Sequence, residues 1–362
     1  MLEGGGTAQS PAVNVLAYNI LNQQTATNDW RTFFNGRQQY QTAINTVNFV
    51  SNGNIHLGAS PGNVFFGEAS EYVLYNRVLT ATEKQQVNSY LAIKGGITLD
   101  QTVTTNYIAS DVTTILWDAT VNAGYNSNIT AIGRDDLSGL NQKQSRSINT
   151  AGIVTVALGT SIAATNAANS NTFATNRQFL AFGDNGAVLD YVLYNGTNVN
   201  TRSGRVWDVQ ETGGDVGNVR LKTSDISATY LLVSNDPTFT SGVTEFALNG
   251  AQEITINLTN SSFFTFGRTI AAAPGGVVAG NSFWIKADGN ITDLGTNVTS
   301  WVSESASTNF GLQVAVTKVG DPDLQDNIYN FNPAVNFDGN DYFRMGNQGL
   351  LQPSATSGEV FI

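Results

Sequence analysis

Between residues 113 and 267 the chain passes through eleven short apolar runs, each closed by Gly, Asn, Asp or Ser. They lie at 113–117, 129–133, 153–158, 178–182, 187–194, 205–211, 218–221, 229–234, 244–248, 253–258 and 263–267. Runs this brief are broken by turn residues before a 3.6-residue period can build, and their spacing is that of a β-sandwich. The side-chain pool agrees. Thr, Tyr and Phe suit a pleated surface, while Asn and the 36 Gly suit bends. Only 12% of residues are charged, so Asn and Thr must wet the surface. The expected fold class is all-β, with two packed sheets in this region.

One helix is predicted. Thr80-Ala81-Thr82-Glu83 is a capping box, in which Thr80 and Glu83 satisfy each other's backbone amides. Val87, Tyr90 and Leu91 then share a face, and Gly95-Gly96 stops the helix, so residues 81–94 form a short amphipathic helix packed on a sheet. Ahead of it, the runs at 13–18, 31–34 before Asn35-Gly36, and 45–50 before Asn52-Gly53 read as a meander of strands. Residues 65–76, with a heavier aromatic load, continue it as a strand buried on at least one face. Residues 163–176 lack any period and read as an exposed loop, and 271–276 as a linker. Beyond the linker, 281–287, 298–302, 312–318, 334–337 and 342–345 are strands again. Residues 1–11 read as a linker without the basic and apolar regions of a signal peptide, and the last four residues as the start of a strand.

Several chemistries are excluded by counting. With no Cys and a single histidine, His56, the chain has no disulfide framework, no thiolate nucleophile and no Cys/His zinc site. A net charge of −11 with 17 Lys and Arg argues against nucleic-acid binding. No apolar run approaches the ~20 residues that span a bilayer.

Two stretches resemble known families. Phe66-Gly67-Glu68-Ala69-Ser70-Glu71-Tyr72-Val73-Leu74-Tyr75-Asn76-Arg77-Val78-Leu79-Thr80, Glu83 and Ser89-Tyr90-Leu91-Ala92-Ile93-Lys94-Gly95-Gly96-Ile97-Thr98-Leu99 resemble the closing strand and final helix of bacterial laminin-G-like, concanavalin-type jelly rolls. Phe283-Trp284-Ile285-Lys286-Ala287-Asp288, Val298-Thr299-Ser300-Trp301 and Pro333-Ala334-Val335-Asn336-Phe337-Asp338-Gly339-Asn340-Asp341-Tyr342-Phe343 resemble the opening of the same family. Residues 100–270, marked by Ile132-Gly133-Arg134-Asp135-Asp136, Arg205-Val206-Trp207-Asp208-Val209 and Phe263-Phe264-Thr265-Phe266-Gly267, resemble a module of unassigned function that accompanies such jelly rolls in large bacterial surface proteins. The resemblance implies four segments: the linker 1–11, the C-terminal half of a jelly roll at 12–99, a β-sandwich module at 100–272, and the N-terminal half of a jelly roll at 273–362. Half a jelly roll leaves open edges and an uncovered apolar face. The halves would close in cis, which effective concentration favours, or in trans with a neighbouring copy, giving a filament.

The candidate sites follow from residue type and spacing. Glu68 and Glu71, three apart on an expected strand, fall on opposite faces, which is poor geometry for a glycosidase pair. The chain is therefore expected not to be an enzyme. Acid-rich turns containing Asp288 and Asp293, Asp321 and Asp323, and Asp338 and Asp341 offer the hard oxygens that Ca²⁺ takes, although Asp-Gly and Asn-Gly are also ordinary turn formers. Arg134 is expected to pair with a carboxylate and hold a loop. Of the five tryptophans, Trp30 follows Asn28-Asp29 near a loop and is the candidate for stacking on a sugar; the other four sit in or beside apolar runs that suit a core. His56 alternates with Ile55 and Leu57, and the sequence supplies it with no partner. Tyr72-Val73-Leu74-Tyr75-Asn76 recurs as Tyr191-Val192-Leu193-Tyr194-Asn195, one strand pattern used twice. The expected function is a structural and adhesive segment of a secreted bacterial cell-surface protein, with other copies of itself as partners. The alternative is a carbohydrate-binding module that takes cell-surface glycans, with Ca²⁺ as its cation.

Overall fold

A computed structural model describes residues 19–45, 59–60, 63–64, 68–269, 274–277, 283–289, 291–293, 295, 297–301, 303–304, 317–344 and 357–359. In chain order, a three-stranded meander comes first, β1 (Leu21–Ala26), β2 (Asp29–Phe34) and β3 (Arg37–Thr42), then a small ribbon, β4 (Ala59–Ser60) and β5 (Asn63–Val64). Helix α1 (Ala81–Gly95) follows. The strands after it are β6 (Tyr107–Ile108), β7 (Ile115–Trp117), β8 (Ser127–Asp135), β9 (Leu140–Gln142), β10 (Gln144–Arg146), β11 (Val154–Leu158) and β12 (Phe179–Asp184). They continue with β13 (Tyr191–Leu193), β14 (Thr201–Ser203), β15 (Trp207–Thr212), β16 (Asn218–Thr223), β17 (Tyr230–Ser234), β18 (Thr244–Ala247), β19 (Glu253–Asn257) and β20 (Phe263–Arg268). The last part holds β21 (Ile291–Asp293), β22 (Val298–Trp301), β23 (Thr317–Val319), β24 (Asp323–Tyr329), β25 (Asn332–Asn336) and β26 (Tyr342–Arg344). Every strand pair is antiparallel, so the fold class is all-β. Among the described residues no helix is long and apolar enough to cross a membrane.

All eleven expected runs between 113 and 267 are strands, displaced by a few residues at their ends. Ten of them join β9, β10 and β14 in a nine-stranded sheet in the order β13-β14-β20-β15-β12-β8-β9, with β17 and β18 added through β20, and a four-stranded sheet in the order β10-β11-β16-β19, while β7 pairs with β6 in a separate ribbon. Side-chain alternation sorts the large sheet into two faces. In β12, Leu180 and Phe182 face the small sheet, while Phe179 and Ala181 face away. Between the sheets Trp207 stacks on Phe264 at 5.2 Å, with Phe266 edge-on to the indole at 5.4 Å. Gly133 pairs with Phe179 across β8 and β12; a Cβ there would lie 1.9 Å from the Phe179 ring, so only glycine admits that ring over the strand.

The outer face of the large sheet carries a second core that spans the expected domain boundary. Ala92 and Ile93 of α1, together with Ile97 and Leu99, share one buried cluster with Tyr107, Leu116, Trp117, Ile129, Ala131 and Phe179. A division between 99 and 100 would cut through this cluster. The helix is thus a third layer of the sandwich. Its cap has the expected form: Glu83 N–H donates to Thr80 Oγ1 at 3.2 Å, and Thr80 N–H donates to Glu83 Oε2 at 2.8 Å. Its buried face is rotated from the expected one. Ser89, Ala92 and Ile93 are buried, whereas Val87, Tyr90 and Leu91 are half-buried. Small residues let the helix approach β6 closely enough for Ile108 N–H to donate to Ser89 Oγ at 3.0 Å.

Three further expectations change. Residues 68–79 form no strand and are largely exposed. The 163–176 loop is irregular but anchored: Asn169 and Phe173 are buried, and the amides of Asn169 and Asn171 donate to the Leu158 carbonyl at 3.1 and 2.9 Å. Residues 323–329, read as an acidic turn, form strand β24. Outside the sandwich the regular structure is thin. No residue of β1 to β3 is fully buried, and β21–β22, β23–β26 and β24–β25 are two-stranded ribbons, an arrangement marginal in isolation.

Candidate functional site

The residues chosen from sequence do not converge. Trp30 lies in β2, the central strand of the meander, half-buried and flanked by Asp29 and Arg31, whose carboxylate and guanidinium pair at 2.9 Å. Trp30 is the second residue of β2, directly after the Thr27-Asn28 turn, and so stands near a loop but within a strand. Asp288 and Lys286 stand 4.0 Å apart in an exposed turn, and Asp293 accepts the Gly295 amide at 3.1 Å. Asp341 does meet Asp321 and Asp338, but through backbone: its carboxylate accepts the Asp321 amide at 2.6 Å and the Asp338 amide at 3.1 Å. Asp321 also pairs with Lys318 at 3.1 Å, and Asp323 opens β24. These turn amides take part of the hydrogen-bonding capacity of the Asp341 carboxylate. Among the described residues no three acidic or histidine side chains are placed to hold a metal ion. His56 lies outside the described residues.

Elsewhere the polar side chains close on their own loops. Arg134 grips Asp136 with two bonds, at 2.6 and 3.0 Å, as expected. Asp236, which sequence reasoning passed over, gathers the amides and hydroxyls of Thr238, Thr240 and Ser241, and these bonds hold its carboxyl well below the usual carboxylate range. The signal was legible as Asp236-Pro237-Thr238 followed by Thr240-Ser241, the pattern of an Asp turn. Asp184 is fully buried, with Asn128 Nδ2 at 2.8 Å, the Gly186 amide at 2.8 Å and Arg205 Nη1 at 3.9 Å; burial nevertheless raises its pKa. Above it opens a cleft of about 370 Å³ lined by Thr98, Asn126, Asn128, Asn149 and Arg205 among others. Arg205 is already committed there, donating to the carbonyls of Ala187 and Ala151 at 2.7 Å each.

The exposed feature that the polar network does not consume is apolar. Tyr72, Val73, Leu74, Tyr75 and Val78 are 55, 47, 65, 46 and 40% exposed. This strap is tied down at both ends. Glu71 accepts from Tyr90 Oη at 3.1 Å and from Lys94 Nζ at 2.8 Å near the end of α1, while Arg77 clasps Glu83 at 2.6 and 2.8 Å near its start. The Arg77 bond, with the Thr80 cap behind it, lowers the Glu83 pKa to about 2. With Glu71 tied near the end of α1 and Arg77 near its start, the strap runs antiparallel to the helix. Glu71 is a tether here, with neighbours that orient the strap.

No curated protein and no solved structure compared with the chain matches it. A family model does match, over residues 83–267, which runs from the first turn of α1 to the penultimate residue of β20 and includes both cores of the sandwich. That span is more than half of the chain, which therefore belongs to the family described as a domain of unknown function, DUF8202.

Proposed function

We propose that the chain is a non-enzymatic structural and adhesive segment of a large secreted bacterial surface protein, in which the three-layer sandwich is a stiff unit and the flanking segments join it to other copies. The observation that carries this reading is the contrast just described. Polar groups of the turns and loops close on one another, while a tethered run of apolar residues faces solvent. Exposed apolar patches of that kind mark contact sites. The resemblance of the flanking segments to split laminin-G-like halves points the same way. Light scattering across a dilution series tests the proposal: association is expected to fall with dilution, and a concentration-independent monomer up to millimolar protein refutes it.

A second reading, a carbohydrate-binding module, draws on the amide-rich cleft beside Asp184. Asn side chains suit sugar hydroxyls, but among the cleft's lining residues there is no aromatic face for a pyranose to stack on. A glycan array run with and without EDTA separates the two. Reproducible binding lost on substituting Asn126 or Asn149 would favour the cleft, and chelator sensitivity would restore Ca²⁺.

A further inference from the structure

We propose that the strap at residues 72–78 is the docking site for the β24–β25 hairpin tip of a second copy of this chain. The proposal rests on the self-association read above and names the two surfaces that meet. The strap is competent to act as a strand. Its Tyr72-Val73-Leu74-Tyr75-Asn76 is identical to Tyr191-Val192-Leu193-Tyr194-Asn195, whose first three residues form β13 paired with β14. The same pentapeptide thus forms a strand where a neighbour is offered, and at 72–76 it is exposed between the ion pairs of Glu71 and Arg77.

The occupant is identified by a conflict between residue and place. β24 and β25 are joined by the two-residue turn Asn330-Phe331, in which both residues have positive φ, 48° and 66°. This is the turn that favours Asn-Gly, because the second position suits a residue without a Cβ. Phe331 fills it instead and is 86% exposed, beside Tyr329 at 77% and Ile328 at 60%. A large aromatic that gains nothing from burial and sits in a left-handed conformation breaks two local rules at once, which is the mark of a residue kept for contact. The surfaces also match in size. Fully covered aromatics bury about 150–250 Å² each, so the two tyrosines of the strap, Tyr329, Phe331 and their aliphatic neighbours offer roughly 800 Å² together. Strand pairing would carry the total to about the 1,000 Å² of the smaller specific interfaces. Both surfaces are exposed in the single chain, and each chain carries one of each. The contact is therefore head to tail, giving a closed ring or an open filament.

The chain has no Cys, so disulfide trapping on the full chain is clean. Leu74→Cys and Phe331→Cys proteins are mixed under mild oxidation, and the mixed disulfide is expected to outrun both homodimers. A dominant Leu74→Cys homodimer overturns the choice of occupant. Rapid, concentration-independent cross-linking within a chain carrying both substitutions overturns the second copy. Leu74→Asp, at an exposed position where the fold tolerates charge, is expected to weaken association by about 10–100-fold. Association that persists unchanged in Leu74→Asp removes the strap while leaving the self-association reading intact; a wild-type chain that never associates removes that reading itself.

Discussion

Removing residues 1–99 is expected to unfold the sandwich, although it leaves every strand from β6 to β20 in place. The deletion takes away Ala92, Ile93, Ile97 and Leu99, all buried in the cluster on the outer face of the large sheet. Burying Ile or Leu contributes about 1.5–3 kcal/mol each, so the three larger residues alone supply about 5–9 kcal/mol. The faces they cover, on Tyr107, Leu116, Trp117 and Phe179, would then be exposed to water. Domains of this size are stable by about 5–15 kcal/mol, so the loss consumes most or all of the margin. A chain of residues 80–269 keeps the Thr80 cap and the helix, and is expected to melt in one cooperative step. The assay is thermal melting by near-ultraviolet circular dichroism, which follows Trp117 and Trp207 in their packed settings. If residues 100–272 melt cooperatively and within a few degrees of residues 80–269, the helix is an ornament on the sandwich and the three-layer description is wrong.

Asp208 lies between Trp207 and Val209 on β15 and is 6% exposed; burial raises its pKa from 3.8 to about 6. A raised carboxyl contributes stability below pH 3.8 that is lost as pH rises through 6, so Asp208→Asn is expected to gain up to about 3 kcal/mol in urea titrations at pH 8 and nothing near pH 3.5. An equal effect at both pH values would refute burial as the cause. Gly133→Ala forces a Cβ into the Phe179 ring and should cost at least about 2 kcal/mol, measured by the urea midpoint; a neutral result would mean that the ring has room to move. EDTA should leave the melting temperature of calcium-equilibrated protein unchanged, and a drop of several degrees would show that the acidic turns hold Ca²⁺ after all.

The strands of the sandwich were legible because they are short apolar runs bounded by turn residues, as in β8, β12 and β20, which are buried on both faces. Within the sandwich, the strands that escaped notice, β6, β9, β10 and β14, are two or three residues long, too short for an apolar pattern to show, and each pairs with the strand next to it in the chain. The helix and its cap were legible because Thr80 and Glu83 form a local motif. Its orientation was not, since packing through Ser89 and Ala92 depends on how closely β6 can approach, which no periodicity encodes. Residues 68–79 failed for the opposite reason. Their pattern is that of a strand, and the identical Tyr191-Val192-Leu193 forms one, but a strand also needs a neighbour. Asp321 and Asp341 were correctly read as turn residues with oxygen to offer. What the sequence does not encode is that backbone amides bond the Asp341 carboxylate while Lys318 pairs with that of Asp321.

A surface poor in charge and rich in Asn and Thr limits what this chain can do. Asn and Thr side chains reach their own backbone readily, and here they do so repeatedly: Asn166 takes the Lys143 amide at 2.6 Å, Asn249 the amides of Ala251 and Glu253 at 2.9 Å each, and Asp236 is closed off by Thr238, Thr240 and Ser241. Each bond fixes a loop and removes a polar group from the pool that could recognise a ligand. Rigid loops with satisfied polar groups suit the proposed role of a spacer between contact surfaces. Exposed apolar groups remain, among them those at residues 72–78 and at the β24–β25 tip, and an apolar group in water lowers its free energy by finding another. Recognition by this chain is therefore expected to show weak dependence on salt, as burial does, and not the steep loss with ionic strength that charge-led binding shows.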